Sequence, residues 1–227
     1  VPSPVFADVE NVDLVLDWMQ GHCVLRTFAS SAVRLAEQAL KKRRDLSGAV
    51  IFTGGEPLTD EGRATIESTG ARVHPRYVAT EAGLIAAGCV NRISTDDMHL
   101  YTDRVAVIAG RDGLLVSTLS EHSGKVLFNT DLGDTGALSD RPCPCAFGQL
   151  GLTTHLAQVR SQQRLTIEGM SVLGTDLESA IGDALRLLGA PSDAFQYRRT
   201  DASHQSDGIL ITVSADIHIA DESAVLA

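Results

Sequence analysis

Residues 51–89, IFTGGEPLTDEGRATIESTGARVHPRYVATEAGLIAAGC, decide how the chain is read. The run Ala49-Val50-Ile51-Phe52 that leads into this stretch is apolar, carries β-branched residues, and has the length of a buried strand. It ends in Thr53-Gly54-Gly55-Glu56-Pro57, where paired glycines let a loop approach a ligand closely because no Cβ intervenes. Thr59-Asp60-Glu61 reads as a helix start, with Thr59 as cap and acids in the first turn. Gly70 closes that helix, and Ala71-Arg72-Val73 begins the next parallel strand. The strand runs into Arg76-Tyr77-Val78-Ala79-Thr80-Glu81, and Ala82 to Cys89 is expected to form another short helix. Loops leaving the carboxyl ends of neighbouring parallel strands form the ligand crevice of an α/β sheet. The Gly-Gly-Glu-Pro loop and the loop from Tyr77 to Glu81 are therefore expected to face each other.

Upstream, residues 11–20 read as a short amphipathic helix and His22 to Phe28 as a strand, with Cys23 a buried strand residue. Ser30 or Ser31 is the expected cap of a helix in which Val33, Leu35, Ala36 and Leu40 recur at helical spacing. The basic run Lys41-Lys42-Arg43-Arg44 then complements that helix's C-terminal dipole. This alternation argues for βαβ units. Downstream the texture changes to short strands, Val105 to Ile108, Leu114 to Val116 and Val126 to Phe128, separated by Gly-containing turns. They predict an antiparallel meander beside the α/β part. From residue 159 a small α+β domain is expected: a helix over Thr175 to Leu188 with a Thr175/Glu178 capping box and Gly189 at its end, then strands Phe195 to Thr200 and Ile209 to Ala215. The expected domains are residues 1–158 and 159–227.

A net charge of −10 over 227 residues, with no basic stripe, argues against a reader of nucleic-acid backbones. The apolar runs are too short to span a bilayer, and Val1-Pro2-Ser3-Pro4 does not read as a signal peptide. Four cysteines in such a chain fit a reducing cytosol, so the expected location is cytoplasmic, with no membrane partner. A homodimer is left open.

Gly-Gly-Glu-Pro-Leu-Thr followed by Tyr77-Val78-Ala79-Thr80-Glu81 resembles the adenylate-forming superfamily, in its phenylacetate–CoA ligase-like and coenzyme F390 synthetase-like branch. The usual second motif is Tyr-Gly-x-Thr-Glu, so Val78 stands where the family has glycine. The segment Asn129-Thr130-Asp131-Leu132-Gly133-Asp134 aligns with the family's Arg-Tyr-Arg-Thr-Gly-Asp, placing Asp134 on its final aspartate while Asn129 and Thr130 replace the arginine and tyrosine. Residues 156–169 resemble the Gly-Arg-Ser-Asp-Asp-Met hinge, with Arg160 on its arginine and Gln162 at its aspartate. The resemblance implies the C-terminal part of an adenylate-forming large domain followed by a small α+β lid. It implies that Gly54, Gly55, Glu56, Pro57 and Tyr77 hold the adenine, Thr80 the phosphate and Glu81 a Mg²⁺ ion. Asp134 and Arg160 would hold the ribose; one carboxylate can accept from both ribose hydroxyls.

Cys143-Pro144-Cys145 is too tight a loop for an internal disulfide, and suits a two-thiolate metal corner. With Cys89 and His99 it makes a Cys₃His set fit for a closed, structural zinc site, the alternative being isolated buried thiols. The F390 synthetase-like branch carries a similar pattern, which implies zinc. His74 is expected at the surface or a strand end, and His22, His122, His155, His204 and His218 show no pairing at metal spacing.

The activity implied is that of a ligase converting a carboxylic acid and ATP to an acyl-adenylate and pyrophosphate, then passing the acyl group to CoA or a carrier-protein thiol. The rival is a non-catalytic nucleotide-binding or zinc-stabilised scaffold domain derived from such an enzyme. No Gly-rich phosphate loop precedes Val50 and no lysine follows Lys125. The chain is accordingly expected to be an internal fragment that does not catalyse adenylation by itself.

Overall fold

The computed structural model describes residues 11–111, 113–121, 123–161, 164–167, 170–187, 195–200 and 208–213. It divides into two units, Val1–Val159 and Arg160–Ala227. The first begins with helix α1 (Val12–Trp18), strand β1 (Val24–Thr27), helix α2 (Ala29–Lys41), strand β2 (Val50–Thr53) and helix α3 (Asp60–Glu67). Strands β3 (Arg72–Ala79), β4 (Gly83–Ala87), β5 (Met98–Leu100), β6 (Val105–Ala109), β7 (Leu114–Thr118), β8 (Thr130–Asp131) and β9 (Asp134–Asp140) follow. Helix α4 (Ala146–Gln149) and strand β10 (Thr154–Ser161) come next. Then come β11 (Arg164–Ile167), β12 (Met170–Leu173), α5 (Gly174–Leu187), β13 (Phe195–Thr200) and β14 (Gly208–Val213).

The parallel part forms in the predicted order, with two corrections: Leu40, expected on the apolar stripe of α2, is 44% exposed, and Cys23, expected as a buried strand residue, is half-buried just before β1. Ala29, Ala32, Leu35, Ala36 and Ala39 recur at helical spacing and are all buried, making one stripe of α2 that packs with Ile51, Ile66 and Val73 in a single core. Each fully buried Ile or Leu there contributes roughly 1.5–3 kcal/mol of hydrophobic stabilisation. Thr59 caps α3 as expected, its Oγ1 accepting from the Gly62 N–H at 3.0 Å. The cap of α2 is different. Neither Ser30 nor Ser31 occupies that position; Phe28 does, without a side-chain bond, and the Glu56 carboxylate accepts from the Ser30 N–H at 2.9 Å instead. An exposed acid from the Gly-Gly-Glu-Pro loop thus satisfies a helix N-terminus 26 residues upstream.

Seven strands form one sheet in the order β1-β2-β3-β4-β5-β10-β9. The first three are parallel, with Val50 opposite Val24 and Arg72, and the pairs from β3 through β4 and β5 to β10 are antiparallel. The change of direction falls at Pro75, the last residue of β3 paired with β2; from Arg76 onward β3 pairs with β4. The expected helix over Ala82 to Cys89 is therefore a strand. Leu84-Ile85-Ala86-Ala87 is a short apolar run, which periodicity alone cannot divide between buried helix and buried strand. Flanking β3 and β5 supply its ladder, and Ile85, Ala86 and Ala87 are buried. The expected loop at Tyr77 is likewise the last part of β3, so only Thr80 and Glu81 lie in the turn.

Strands β6, β7 and β8 make the expected antiparallel meander, except that its third strand is Thr130–Asp131 and not Val126 to Phe128. Val126 and Phe128 are 93% and 83% exposed, so this run gains nothing by joining a sheet face. Val105, Leu114 and Val116 pack with Tyr77, Ala86, Met98, Leu100 and Leu156 in a second core. In the second unit β11 pairs with β12 and β13 with β14, both antiparallel, and α5 packs Ile181 and Leu185 near Phe195 and Ile211. Gln162, Gly189 and Ala215 lie outside the described residues.

Candidate functional site

Directly paired residues on neighbouring strands share a face of the sheet. The registers Arg76–Ala87, Ala87–His99 and His99–His155 thus set these four residues in one row across β3, β4, β5 and β10. At one end of that row the two expected thiol segments meet. Cys89 leaves the end of β4, His99 lies in the middle of β5, and Cys143 and Cys145 precede α4. All four are buried, His99 at 0% exposure, and one ligand atom from each lies within 4.8 Å of the others. The Cys89 and Cys143 sulfurs are 3.7 Å apart, too far for a disulfide and close to the roughly 3.8 Å that two bonds of ~2.3 Å subtend at a tetrahedral ion.

The histidine is set for coordination. Its Nδ1 lies 2.7 Å from the Leu152 carbonyl oxygen, which only accepts, so Nδ1 carries the proton and Nε2 presents a lone pair to Cys145 Sγ at 3.2 Å. Burial pushes the Cys89 thiol up to about 12. For Cys143 burial acts in the same upward direction but is outweighed by the hydrogen bond from the Cys145 backbone N–H and by its polar neighbours in the cluster, the Cys145 thiol first. Its value falls to about 7, so Cys143 gives up its proton far more readily than Cys89 when a cation binds. Helix α4 sits hard on this turn. A Cβ added at Gly148 would lie 1.9 Å from the Cys143 carbonyl oxygen, so only glycine lets the helix approach. Three thiols and one correctly protonated imidazole in a closed, buried cluster fit zinc, with no position left for substrate.

Further buried polar residues lie on the same strands and loops. Asp97, buried to 2%, accepts from the Ile93 N–H at 2.9 Å and from His155 Nδ1 at 2.8 Å, and pairs with the Arg141 guanidinium. Burial tends to raise its carboxyl, but those three partners hold it below the usual aspartate value. His155, which shows no pairing at metal spacing in the sequence, is not one of the four clustered ligand residues, but its ring centroid lies 4.0 Å from that of His99. His74, expected at the surface or a strand end, is buried at 8% exposure as the third residue of β3. Arg92 closes over it, 3.3 Å from His74 Nδ1, and Phe52 lies against its ring at 5.7 Å. Burial, then the charges of Arg92 and Arg72, lower its value to about 4.

The residues expected to meet a nucleotide are distributed as follows. Tyr77 is 8% exposed within the second core and its hydroxyl donates to Asp134 Oδ2 at 2.6 Å, joining the two motifs across 57 residues of chain. Burial, followed by that bond to a carboxylate, raises the tyrosine's value further from neutrality. The Gly54 loop lies beside β3; a Cβ there would meet the Arg76 carbonyl at 3.3 Å and the Val78 methyl at 3.7 Å. The Val78 methyl thus lies beside a loop position that has no Cβ. Glu56 is engaged with α2, Thr80 and Glu81 are exposed in the β3–β4 turn, and Arg160 lies exposed near the end of β10.

Sequence reasoning missed Asp97, Arg141 and His155, and also the capping role of Glu56. The alternation Asp97-Met98-His99 was the one signal pointing toward a braced ligand. Nothing local marks Arg141 or His155.

No family model matches the sequence, and comparison with curated proteins gives no match. Solved structures do match. A variant of E. coli MenE with bound OSB-AMS aligns at TM-score 0.60 and 12% identity, over 91% of this chain and 44% of that one. An acyl-CoA synthetase from Brucella canis aligns at TM-score 0.42 and 17% identity, over 91% and 40%. An acyl-CoA synthetase (AMP-forming)/AMP-acid ligase II-like protein from Dyadobacter fermentans aligns at 0.41 and 12%, over 84% and 49%. The chain spans less than half the length of each. The likeness to the MenE structure shows a shared fold over the part of that chain that is covered.

Proposed function

We propose that this chain is the nucleotide-facing part of an adenylate-forming ligase that activates a small carboxylic acid, in a protein of the phenylacetate–CoA ligase-like kind. The observation that carries this reading is the Tyr77–Asp134 hydrogen bond, which joins the two sequence motifs that resemble nucleotide-binding elements. In the proposed reaction a carboxylate oxygen attacks the α-phosphorus of ATP, the bond to pyrophosphate breaks, and an acyl-adenylate forms. A thiol, on CoA or a carrier protein, then attacks the acyl carbon and AMP leaves.

Asp134 accepts from the ribose hydroxyls, with Tyr77 holding its second oxygen in place. The ring of Tyr77 is packed in the core, so adenine meets its edge and the Gly54 to Pro57 loop. By motif resemblance, Thr80 and Glu81 of the exposed turn are assigned to the phosphates and Arg160 to the ribose. Mg²⁺ held by Glu81 would offset charge on the leaving pyrophosphate. The Cys89, His99, Cys143 and Cys145 cluster holds zinc in a structural role, tying the segment after Asp134 to the strand that follows Glu81.

Carboxylate-dependent ATP–pyrophosphate exchange by the full-length protein, over a panel of aryl and acyl acids, tests the reading. Exchange above background with at least one acid is expected. Its absence across the panel, in protein that still binds AMP, would leave only nucleotide binding.

A further inference from the structure

We propose that Asp97 is the positioning residue of the Cys₃His cage, preorganising it by bracing the ligand-bearing segments against one another before any metal arrives. The inference rests on the reading of that cluster as a zinc site. The ligands come from separate stretches: Cys89 and His99 bound one loop, while Cys143 and Cys145 lie on a second segment reached through β9. A cage assembled from such distant parts must have its parts held, and thiol ligands cannot do this before the ion binds.

Every hydrogen-bond partner of Asp97 lies on a segment that delivers or abuts a ligand. Within the first loop it accepts from the Ile93 N–H at 2.9 Å, folding the chain between Cys89 and His99. Across to the second segment it pairs with Arg141, two residues before Cys143. On β10 it accepts from Nδ1 of His155, which the ladder places directly opposite His99. That bond fixes the His155 ring with Nδ1 protonated, and the ring lies 4.0 Å from that of His99, limiting how His99 can turn. The Leu152 carbonyl holds His99 from its other side. A carboxylate with a merely local role would bond only within its own loop; this one reaches residues 44 and 58 positions away. Buried ion pairs give little net stability over apolar packing of the same shape, so what the Asp97–Arg141 pair supplies is position.

The experiment uses the purified chain, stripped of metal under reducing conditions and titrated with Co²⁺ and then with Zn²⁺ against a chromophoric chelator. Wild type is expected to bind one equivalent with the ligand-field absorption of a tetrahedral thiolate site. Asp97→Asn keeps the shape and one acceptor but loses the charge; it should weaken metal binding about 10–100-fold and alter the cobalt spectrum. Arg141→Gln should shift both in the same direction, and Arg141→Lys, which keeps the cation, should recover part of the loss. Variants that bind within about twofold of wild type, with an unchanged cobalt spectrum, would overturn the brace even if their melting temperature falls. Should Asp97→Asn fail to fold, Arg141→Gln, at the more exposed end of the pair, decides the matter on the same readouts. A wild-type chain that binds neither ion overturns the zinc reading itself, and the brace with it.

Discussion

The stretches 77–89 and 134–143 are joined twice, and the two joints are built in opposite ways. At one, a single hydrogen bond connects Tyr77 to Asp134, whose carboxylate is half-exposed. At the other, Cys89 and Cys143 meet inside a fully buried four-ligand cluster with a charged brace behind it. The first joint leaves carboxylate lone pairs free for another donor. The second leaves nothing free. A joint that a ligand must enter has to be open and easily adjusted, whereas one that holds two segments in register gains from saturation and from exclusion of water.

The largest expected effect comes from breaking the rigid joint. Protein purified without chelator should carry about one zinc per molecule by elemental analysis. Cys143→Ser, or chelation of the wild type, should lower apparent stability by on the order of 5 kcal/mol in denaturant titrations, loosening residues 77–81 and 133–145 together in hydrogen exchange. Metal-free wild type with undiminished stability would mean that the cluster is packing and not a cage.

Breaking the open joint should leave the fold intact. Asp134→Ala removes the acceptor for the ribose hydroxyls, and hydrogen bonds to charged groups contribute roughly 1.5–3 kcal/mol each. AMP affinity in the full-length protein, measured calorimetrically, should fall at least about tenfold. An unchanged Kd would remove Asp134 from the site. Tyr77→Phe should have a smaller effect, since it frees the carboxylate without removing it.

His74 supplies a pH signature on the parallel side of the sheet. Its folded value near 4 lies below the ordinary 6.5, so folding favours the neutral ring. That contribution is complete above pH 6.5 and drains as pH falls from 6.5 toward 4, because the unfolded chain binds the proton first. Wild type should therefore lose about 2 kcal/mol from this group between pH 7 and 4.5, and His74→Phe should lose correspondingly less. Equal losses in both would show that burial and the charges of Arg92 and Arg72 do not hold the ring neutral.

The smallest expected change is at Glu56. Replacing it by Gln keeps an acceptor for the Ser30 N–H but removes the charge at the α2 N-terminus. A loss of about 0.5–1 kcal/mol should appear in thermal or urea unfolding, reduced by salt.

Much of this architecture could be read from residues alone. The βαβ order, the Thr59 cap, the Leu35 and Ala36 part of the buried stripe of α2 and the antiparallel pairing of β6 with β7 rest on periodicity and capping, signals confined to a turn or two of chain. The four clustered Cys and His residues were legible for a different reason: Cys-Pro-Cys is rare geometry, and thiols and imidazole limit the chemistry to few ions. The failures share one cause. Leu84 to Ala87 has no period that separates strand from helix, and only β3 and β5 on either side settled it. Ser30 and Ser31 looked like caps because no local signal reveals a carboxylate arriving from residue 56.

The sequence by itself determined which segments bury apolar faces, which residue types can hold a metal, and which loop is free of Cβ atoms beside a strand end. The tertiary structure alone decided that Asp97 reaches Arg141 and His155, that Tyr77 reaches Asp134, and that His155 stands against His99. These contacts depend on ladder register across strands distant in sequence. Register is set by the packing of whole sheet faces, a sum over many weak contacts that no short stretch of chain encodes.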